Sequence, residues 1–380
     1  MTGELNFPMI PNDTDWLHVE NEAEIPSPSL LIFADRVEEN LRRMIAIAGS
    51  PARLRPHIKT HKLAPIVALQ ISLGVTRCKC ATIAEAELAA RAGATDVLLA
   101  MQLVGPNLAR WIALIRAFPG VAFSTLVDDA DAFANYRQAA VAAGTTLELL
   151  VDLDVGQQRT GIAPGAPALD LYRKLASSPG LRPGGLHAYD GHLHQTVMAE
   201  RTRAADAAFV PVSALHAELR RESLPVPRIV CGGTPTFPVH AQRPNVECSP
   251  GTCVLWDAGY AKKIPDLDFL HAAALLTRVI SRPAPNRLCL DLGHKAVASE
   301  MPHPRVIFPA LPDAVPVVHS EEHLVLETAR AAEFPVGSVL YGVPWHICPT
   351  VALHDRVQVV REGRVTDHWH VEARARQLVF

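Results

Sequence analysis

The chain has 380 residues, 49% of them hydrophobic and 20% charged, an ordinary balance for a globular protein of one large or two medium domains. A formal net charge of −3 gives no overall electrostatic reason to expect nucleic acid or an anionic membrane as a partner. The opening stretch MTGELNFPMI has no signal-peptide character, and no apolar run reaches the roughly 18 residues of a membrane span.

Short apolar or β-branched runs alternate with alanine-rich helical stretches from about residue 28 to residue 235. Eight strands separated by helices is the number that closes a (β/α)8 TIM barrel. A doubly wound open sheet is the alternative, but no GxGxxG motif opens a helix here. We therefore predict an α/β barrel domain over residues 28–255. Its predicted strands are Ser29–Ala34, Leu54–Lys59, Arg77–Ala81, Asp96–Met101, Ala122–Asp128, Leu147–Leu153, Gly185–Asp190 and Arg228–Cys231. Its predicted helices include Asp35–Ile47, Thr82–Ala92, Asn107–Phe118, Asp129–Ala143 and Ala199–Arg220.

The pattern changes at about residue 256, where strand-like runs alternate with Pro, Gly and charged turns. This pattern predicts a second, all-β domain over residues 256–380, completed by residues 1–27. Its predicted strands are Ala274–Ser281, Arg287–Asp291, Leu324–Glu327, Ser338–Tyr341 and Val357–Val360.

Polar and charged side chains follow the predicted barrel strands at their C-terminal ends, where such barrels place their reacting groups. Lys59 ends the second strand, within the stretch RPHIKTHK. The segments after strands six, seven and eight are Asp154–Gly161, His187–His194 and Cys231–Thr234. Because these ends meet at one mouth of a barrel, we expect the four segments to line a shared pocket.

The residue types in this pocket suit pyridoxal phosphate. A desolvated lysine such as Lys59 can attack a carbonyl to form a Schiff base. Tyr189 can stack on a ring, and Arg159 can hold one of its oxygens. Backbone N–H groups and hydroxyls suited to a phosphate come from Gly232, Gly233, Thr234, Gly251 and Thr252. A glycine pair taken alone is more often a plain turn, and a buried tyrosine taken alone is more often a core residue. The prediction of pyridoxal phosphate therefore rests on the combination of these residues.

Six stretches resemble the family of metal-dependent D-threonine aldolases and eukaryotic-type D-serine dehydratases: RPHIKTHK, CKCATIAEAELAARAGATDVLLA, GQQRTG, HAYDGH, CGGTPT and WHICPTVALHD. These are pyridoxal-phosphate enzymes with the alanine racemase type of fold. The resemblance implies that Lys59 holds the cofactor covalently, that Arg159 contacts its phenolic oxygen and that Tyr189 lies near its ring. It also places Gly232, Gly233, Thr234, Gly251 and Thr252 on the phosphate-binding turns. A homodimer, with each mouth partly covered by the β domain of the partner, is implied as well.

His346 and Cys348 lie two residues apart in the stretch PWHICPT. In an extended segment they would face the same side, so an imidazole and a thiolate could hold one ion. Nitrogen and sulfur donors favour zinc over manganese or magnesium. Spacing alone favours two packed side chains at a domain interface, and it is the family resemblance that makes the divalent metal site the preferred interpretation.

Other histidines have two interpretations. His192 and His194 follow the seventh strand, where one can serve as a base, or both can order the loop through hydrogen bonds. Asp367–His370 has the same alternation as the metal pair, but we expect it on a solvent-facing edge strand. The residues expected to tune the electrostatics around Lys59 are His57, His61 and Lys62, although His57 can equally be a buried structural histidine.

The resemblance implies a lyase that acts on a small D-β-hydroxy amino acid, with retro-aldol cleavage to glycine and an aldehyde as the preferred reaction. The stretches KCATIAEAE and AYDGHLH favour this aldolase, whereas the His-x-Cys pair favours the alternative, dehydration to a keto acid and ammonia. A pyridoxal-phosphate-binding protein without turnover would not need the second domain, and a racemase would not need the metal pair.

Seven cysteines, an odd number without a CxxC pair, predict reduced thiols and a cytoplasmic location. Cys231, Cys253 and Cys289 lie in apolar runs, and we expect them to be small buried side chains.

Overall fold

The protein is described by a computed structural model over residues 14–380. Across that range, none of the helices combines the length and apolarity needed to cross a bilayer. The described chain divides into a barrel unit, Leu41–Gly251 with Glu372–Phe380, and a β unit, residues 14–40 with Thr252–Val371. The predicted contribution of residues 1–27 to the β domain falls partly on residues 1–13, which lie outside the described residues.

The helices and strands follow one another in the described chain as a barrel pattern and then a β pattern. The strands are β1 Ser29–Phe33, β2 Arg77–Cys80, β3 Asp96–Gln102, β4 Ala122–Val127, β5 Leu147–Asp152, β6 Leu181–Ala188, β7 Ile229–Cys231, β8 Val246–Cys248, β9 Ala273–Ala284, β10 Arg287–Leu290, β11 Val306–Ile307, β12 Val315–His319, β13 Leu324–Glu327, β14 Val339–Pro344, β15 Arg356–Arg361 and β16 Arg364–His370. The α-helices are α1 Ala34–Ala48, α2 Ala64–Ser72, α3 Ile83–Arg91, α4 Pro106–Ala117, α5 Ala130–Ala143, α6 Ala166–Ser177, α7 Met198–Arg221, α8 Phe237–Ala241, α9 Ala258–Lys263 and α10 Ile347–Leu353.

In the described part of the barrel unit, seven parallel strands form one sheet in the order β2 to β8, with an α-helix between each consecutive pair. All six residues of β5, LELLVD, are buried, as expected for a strand covered on both faces. Side-chain caps fix the helix starts. The Thr82 hydroxyl accepts the Glu85 N–H at α3, and the Asp129 carboxylate accepts the N–H groups of Asp131 and Ala132 at α5.

The barrel sheet is closed between β8 and β2 by the irregular stretch 54–57. Leu54 forms an isolated parallel bridge with Cys248, and His57 forms one with Lys79. The His57 N–H also donates to the carbonyl of Pro250 at 2.9 Å. Residues 54–57 therefore form a short seam that closes the barrel sheet between β8 and β2.

The predicted barrel with a second β domain is confirmed, with two corrections. The predicted strand Leu54–Lys59 consists of these bridges followed by the 3-10 helix Ile58–Thr60, because Pro56 has no N–H to continue a regular ladder. The predicted first barrel strand, Ser29–Ala34, is instead β1 of the β unit. Sequence reasoning also missed the short strand β8.

In the described β unit, a nine-stranded sheet runs in the order β12-β13-β10-β9-β1-β15-β16, with β14 paired to β9 and to β11. β1 is parallel to β15 and antiparallel to β9. Its inward residues Leu31 and Phe33 pack with Ala274, Leu276 and Val360 in an apolar cluster. The expectation of an edge strand at Asp367–His370 is confirmed, because β16 ends the sheet order.

None of the seven cysteines, all of which lie in the described residues, takes part in a disulfide. Cys231, Cys253 and Cys289 are buried as expected.

Candidate active site

Lys59 lies in the 3-10 helix that follows the closing seam of the barrel sheet. The His57 ring nitrogen Nδ1 accepts the Lys59 N–H at 3.4 Å, so the preceding residue caps this short helix. Because His57 is in parallel register with Lys79, Lys59 is level with the residue just beyond the C-terminal end of β2. This is the edge of the sheet at which the barrel strands end.

A cavity of about 270 Å³ opens at this edge. Its lining includes Lys59, Lys79, Asp152, Arg159, His187 and Tyr189. The volume is near the lower end of the range for small-molecule sites. The structure thus brings three of the predicted site residues, Lys59, Arg159 and Tyr189, to one cavity.

Three cationic side chains surround the Tyr189 ring. The Arg159 guanidinium carbon is 5.0 Å from the ring centroid, Lys79 Nζ is 5.3 Å from it and Lys59 Nζ is 5.9 Å from it. Such distances allow cation–π attraction to the ring. The concentration of positive charge suits an anionic ligand.

The turn after β7 brings glycine backbone close to Tyr189. A Cβ at Gly233 would lie 3.1 Å from Tyr189 Cε2, and one at Gly232 would lie 2.7 Å from a ring carbon of His240. A Cβ at Gly251 would lie 3.0 Å from the carbonyl oxygen of His57. Neighbouring protein atoms occupy the space where a side chain would begin, so these three positions require glycine.

The other two predicted phosphate-binding residues are also buried. Thr234 is buried beside the glycine turn, and its hydroxyl accepts the Gly251 N–H at 3.3 Å. Thr252 begins a 3-10 helix in the β unit.

A hydrogen-bonded array that sequence reasoning missed forms part of the cavity lining. His187 Nδ1 is 2.6 Å from Asp152 Oδ1, and His187 Nε2 is 3.2 Å from Lys79 Nζ. Asp152 Oδ2 also accepts hydrogen bonds from Gln102 and Thr160, at 2.9 and 3.0 Å. Two signals could have revealed it: Asp152 and His187 end neighbouring strands, and Lys79 is a lysine inside the buried strand RCKC.

Burial and neighbouring charge shift the protonation of this array. Burial lowers the pKa of Lys79 to about 7; the charge of Lys59 adds to this effect and Asp152 opposes it. Burial, reinforced by the two lysines, holds the pKa of His57 well below its usual value. Burial and Lys79 also lower the pKa of His187. Burial alone would raise the pKa of Asp152, but its interaction with His187 and the hydrogen bonds from Thr160 and Gln102 bring it below the usual value.

The two candidate bases lie outside the lining of this cavity. The His192 ring packs against Gly156, where a Cβ would lie 3.1 Å from Nε2. Its Nδ1 is buried and has no hydrogen-bond partner among the described residues. His194 is exposed.

The residues next to Lys59 have separate structural partners. His61 is fully buried, and its Nδ1 accepts the Leu63 N–H at 3.1 Å. Lys62 forms an ion pair with the buried carboxylate of Glu85.

The predicted metal pair lies in the β unit, at the start of α10. His346 is the N-cap residue in an extended conformation, and Cys348 lies in the first turn of the helix. The two side chains are hydrogen-bonded to each other, so they are in contact although the segment is not extended as predicted. His346 Nδ1 is also 2.5 Å from Glu300 Oε1. Within residues 14–380, no group of three or more His, Cys, Asp and Glu side chains is placed to hold a metal ion.

The alternative pair on β16 is solvent-facing, as expected. His368 and His370 are exposed, with their ring centroids 5.6 Å apart.

Two family models match the chain. Residues 32–256 match the alanine racemase N-terminal domain, and residues 272–360 match a putative serine dehydratase domain. A D-threonine aldolase from Arthrobacter sp is 34% identical over 360 residues, which are 93% of each chain. The crystal structure of D-threonine aldolase from Filomicrobium marinum has a TM-score of 0.85 and 32% identity, over 93% of this chain and 96% of that one. A D-threo-3-hydroxyaspartate dehydratase from Delftia sp. (strain HT23) is 26% identical over 375 residues, 91% of this chain and 97% of its own.

Proposed function

The chain belongs to the family of pyridoxal-phosphate lyases that includes D-threonine aldolase, and on that premise we propose that it cleaves D-β-hydroxy amino acids by a retro-aldol reaction to glycine and an aldehyde. The observation that carries the proposal is the convergence of Lys59 and Arg159 on the Tyr189 ring in one cavity. The identity and coverage of the D-threonine aldolases support the aldolase outcome.

The residues of the cavity fit pyridoxal phosphate. The neighbouring turns that contain Gly232, Gly233 and Gly251 would lie at the phosphate end of the cofactor, and the Tyr189 ring, which a Cβ at Gly233 would approach to 3.1 Å, would pack against the aromatic ring of the cofactor. Lys59 would supply the amine for covalent attachment, and the Arg159 guanidinium would hold a cofactor oxygen. When bound, the cofactor supplies an electron sink for the bond that breaks at the α-carbon of the substrate.

The side chains of this protein would divide the remaining tasks. After the substrate amine has taken its place, Lys59 can hold a proton at Nζ. For cleavage between the α- and β-carbons, a base must accept the proton of the β-hydroxyl. We assign this task to His194, which is exposed, with His192 as the alternative.

A divalent metal ion is a further part of the proposal. His346 Nδ1 or Nε2 and the Cys348 thiolate would hold it, because their side chains are in contact and because nitrogen and sulfur donors favour zinc. Manganese and magnesium are the alternatives. Two protein donors would leave coordination positions open, which suits Lewis-acid polarisation of the β-oxygen.

Dehydration of a D-serine-like substrate is the second candidate reaction. The His346 and Cys348 pair lies within the matched serine dehydratase domain, and a hydroxyaspartate dehydratase covers nearly the whole chain. In this case Lys59 Nζ would accept the α-hydrogen instead, and the β-hydroxyl would leave.

The test is a product assay of the cofactor-loaded protein on D-threonine and D-serine. We expect glycine plus acetaldehyde from D-threonine at a rate far above keto-acid formation from either substrate. Keto acid plus ammonia as the main product would favour the dehydratase, and no lyase product from either substrate would refute both candidates. A small-molecule substrate, a homodimer and a cytoplasmic location complete the proposal.

A further inference from the structure

Lys79 is a buried lysine that none of the roles above uses. It lies in β2 with only 2% of its surface exposed, whereas lysines are almost never fully buried unless they are paired. Its Nζ lines the cofactor cavity, 3.2 Å from His187 Nε2 and 5.3 Å from the Tyr189 ring centroid. Its position requires a physical explanation.

The direction of each hydrogen bond in the array follows from the charge of Asp152. The lowered pKa of Asp152 makes it a carboxylate at neutral pH, and a carboxylate only accepts hydrogen bonds. His187 Nδ1 therefore donates to Asp152. Because the pKa of His187 is lowered too, the ring is neutral and its Nε2 is an acceptor. Lys79 is the donor to that nitrogen.

Both ring nitrogens of His187 are thus occupied, so this imidazole is not available as a base in the cavity. Lys79 keeps two further hydrogens when it is charged, and it is the member of the array that brings positive charge to the cavity. Replacing the amine would release His187 Nε2 and remove that charge.

We propose that Lys79 is a positioning residue of the cofactor cavity, which holds His187 in its Nδ1–H tautomer and adds a positive charge that strengthens the binding of an anionic cofactor. This inference rests on the proposed pyridoxal-phosphate function. It concerns the residues of the barrel unit alone.

The charge of Lys79 depends on the groups that face it. The titratable and charged groups around it are His57 and Lys59 before α2, Asp152 at the end of β5, Arg159 in the following loop, His187 and Asp190 at the end of β6, and Cys231 at the end of β7. Burial and Lys59 bring the pKa of Lys79 to about 7, so its positive charge is present below neutral pH and is lost as the pH rises through about 7.

The test uses pyridoxine 5′-phosphate, which lacks the aldehyde and therefore binds without forming a bond to Lys59. Its affinity for the cofactor-free full chain is measured by calorimetry at about pH 6 and about pH 8.5, in the wild type, Lys79→Met and Lys79→Arg, with the exposed Lys174→Met as the matched control. The phosphate of the ligand ionises over the same range, so the quantity compared is the ratio of variant to wild-type affinity at each pH.

We expect Lys79→Met to bind about tenfold more weakly than the wild type at low pH and within about twofold at high pH, because only the charged amine attracts the anion. Lys79→Arg should keep the affinity at low pH and exceed the wild type at high pH, and Lys174→Met should follow the wild type. Equal weakening by Lys79→Met at both pH values would indicate a packing role and would overturn the proposal, as would no weakening at either pH.

A second measurement keeps the proposal testable if a variant does not fold. The ring ¹⁵N shifts of histidine-labelled wild-type protein should include one neutral Nδ1–H imidazole, assigned to His187 by its loss in His187→Gln. A neutral Nε2–H or a charged His187 ring would refute the proposal. If the wild type binds pyridoxine 5′-phosphate at neither pH, the cofactor assignment itself fails and this inference fails with it; normal wild-type binding with unchanged Lys79→Met binding overturns this inference alone.

Discussion

Gly251→Ala tests whether the closing seam of the barrel holds the Lys59 segment in place. Gly251 has an ordinary backbone conformation, so a new methyl group would act only through its contacts. It would lie 3.0 Å from the His57 carbonyl oxygen, 3.1 Å from the Thr60 hydroxyl and 3.2 Å from His57 Cβ. All three atoms belong to the short segment that carries Lys59, and the first is backbone that cannot rotate away.

Overpacking of this kind costs about 1–3 kcal/mol. A loss of about 2–4 °C for each kcal/mol, typical of a domain of this size, predicts an apparent melting temperature lower by about 2–12 °C. We also expect weaker binding of pyridoxine 5′-phosphate, because relief of the contacts moves His57 and Lys59 away from the cavity. Thermal denaturation and calorimetric titration measure the two effects.

Gly120→Ala is the matched control. Gly120 lies in the loop between α4 and β4, and no atom lies within 4 Å of the position of a Cβ there. Its stability should change by less than about 0.5 kcal/mol, as for an ordinary surface substitution. If Gly251→Ala matched Gly120→Ala in both melting temperature and ligand affinity, the contacts at the seam would not restrain the Lys59 segment.

Three further predictions concern the cofactor, the metal and the assembly. Borohydride reduction of the protein loaded with pyridoxal phosphate should label Lys59, and Lys59→Ala should abolish lyase activity; a label on another lysine in the wild type would contradict the assignment. Chelation should remove activity without changing cofactor absorbance, and His346→Ala should reproduce this loss. Added zinc or manganese should restore the chelated wild type but not the variant, and His370→Ala on the exposed edge strand should behave as wild type. A protein shown by elemental analysis to be metal-free that still turned over at the normal rate would refute the metal site. Sedimentation at assay concentration should give a dimer, and an active monomer would exclude it.

The alternation of short apolar runs with helical stretches was enough to predict the barrel, because buried parallel strands are continuous apolar runs. It placed β1 wrongly, since a run such as Leu30–Phe33 is equally apolar in either sheet and only long-range pairing decides. The strand β12 was missed because its valines Val315, Val317 and Val318 are exposed at the sheet edge, where apolar periodicity has no core to follow.

In the candidate site, too, some residues could be predicted from the sequence and others could not. Arg159 and Tyr189 could be predicted because each follows a strand, and Lys59 because it follows the extended stretch 54–57; the C-terminal ends of barrel strands meet. Lys79 lies within β2, where a lysine in a buried strand was the one sign of it, and its hydrogen bond to His187, on a strand far along the chain, is not visible in the sequence. We predicted that His346 and Cys348 lie close together because residues two apart face the same side of an extended segment. In the structure they are close because His346 caps α10 and Cys348 lies in its first turn.

The position of β1 between β9 and β15 has a consequence for biosynthesis. On the ribosome β1 emerges before residues 41–251 of the barrel unit, while both of its partner strands are made only after those residues. The four consecutive apolar residues Leu30–Phe33 therefore have no partner strand while residues 41–251 are synthesised and fold. An unpaired apolar strand can pair with strands of other chains. A chain that ends before β15 would therefore carry an exposed strand edge at its other terminus, and it would aggregate even with an intact barrel.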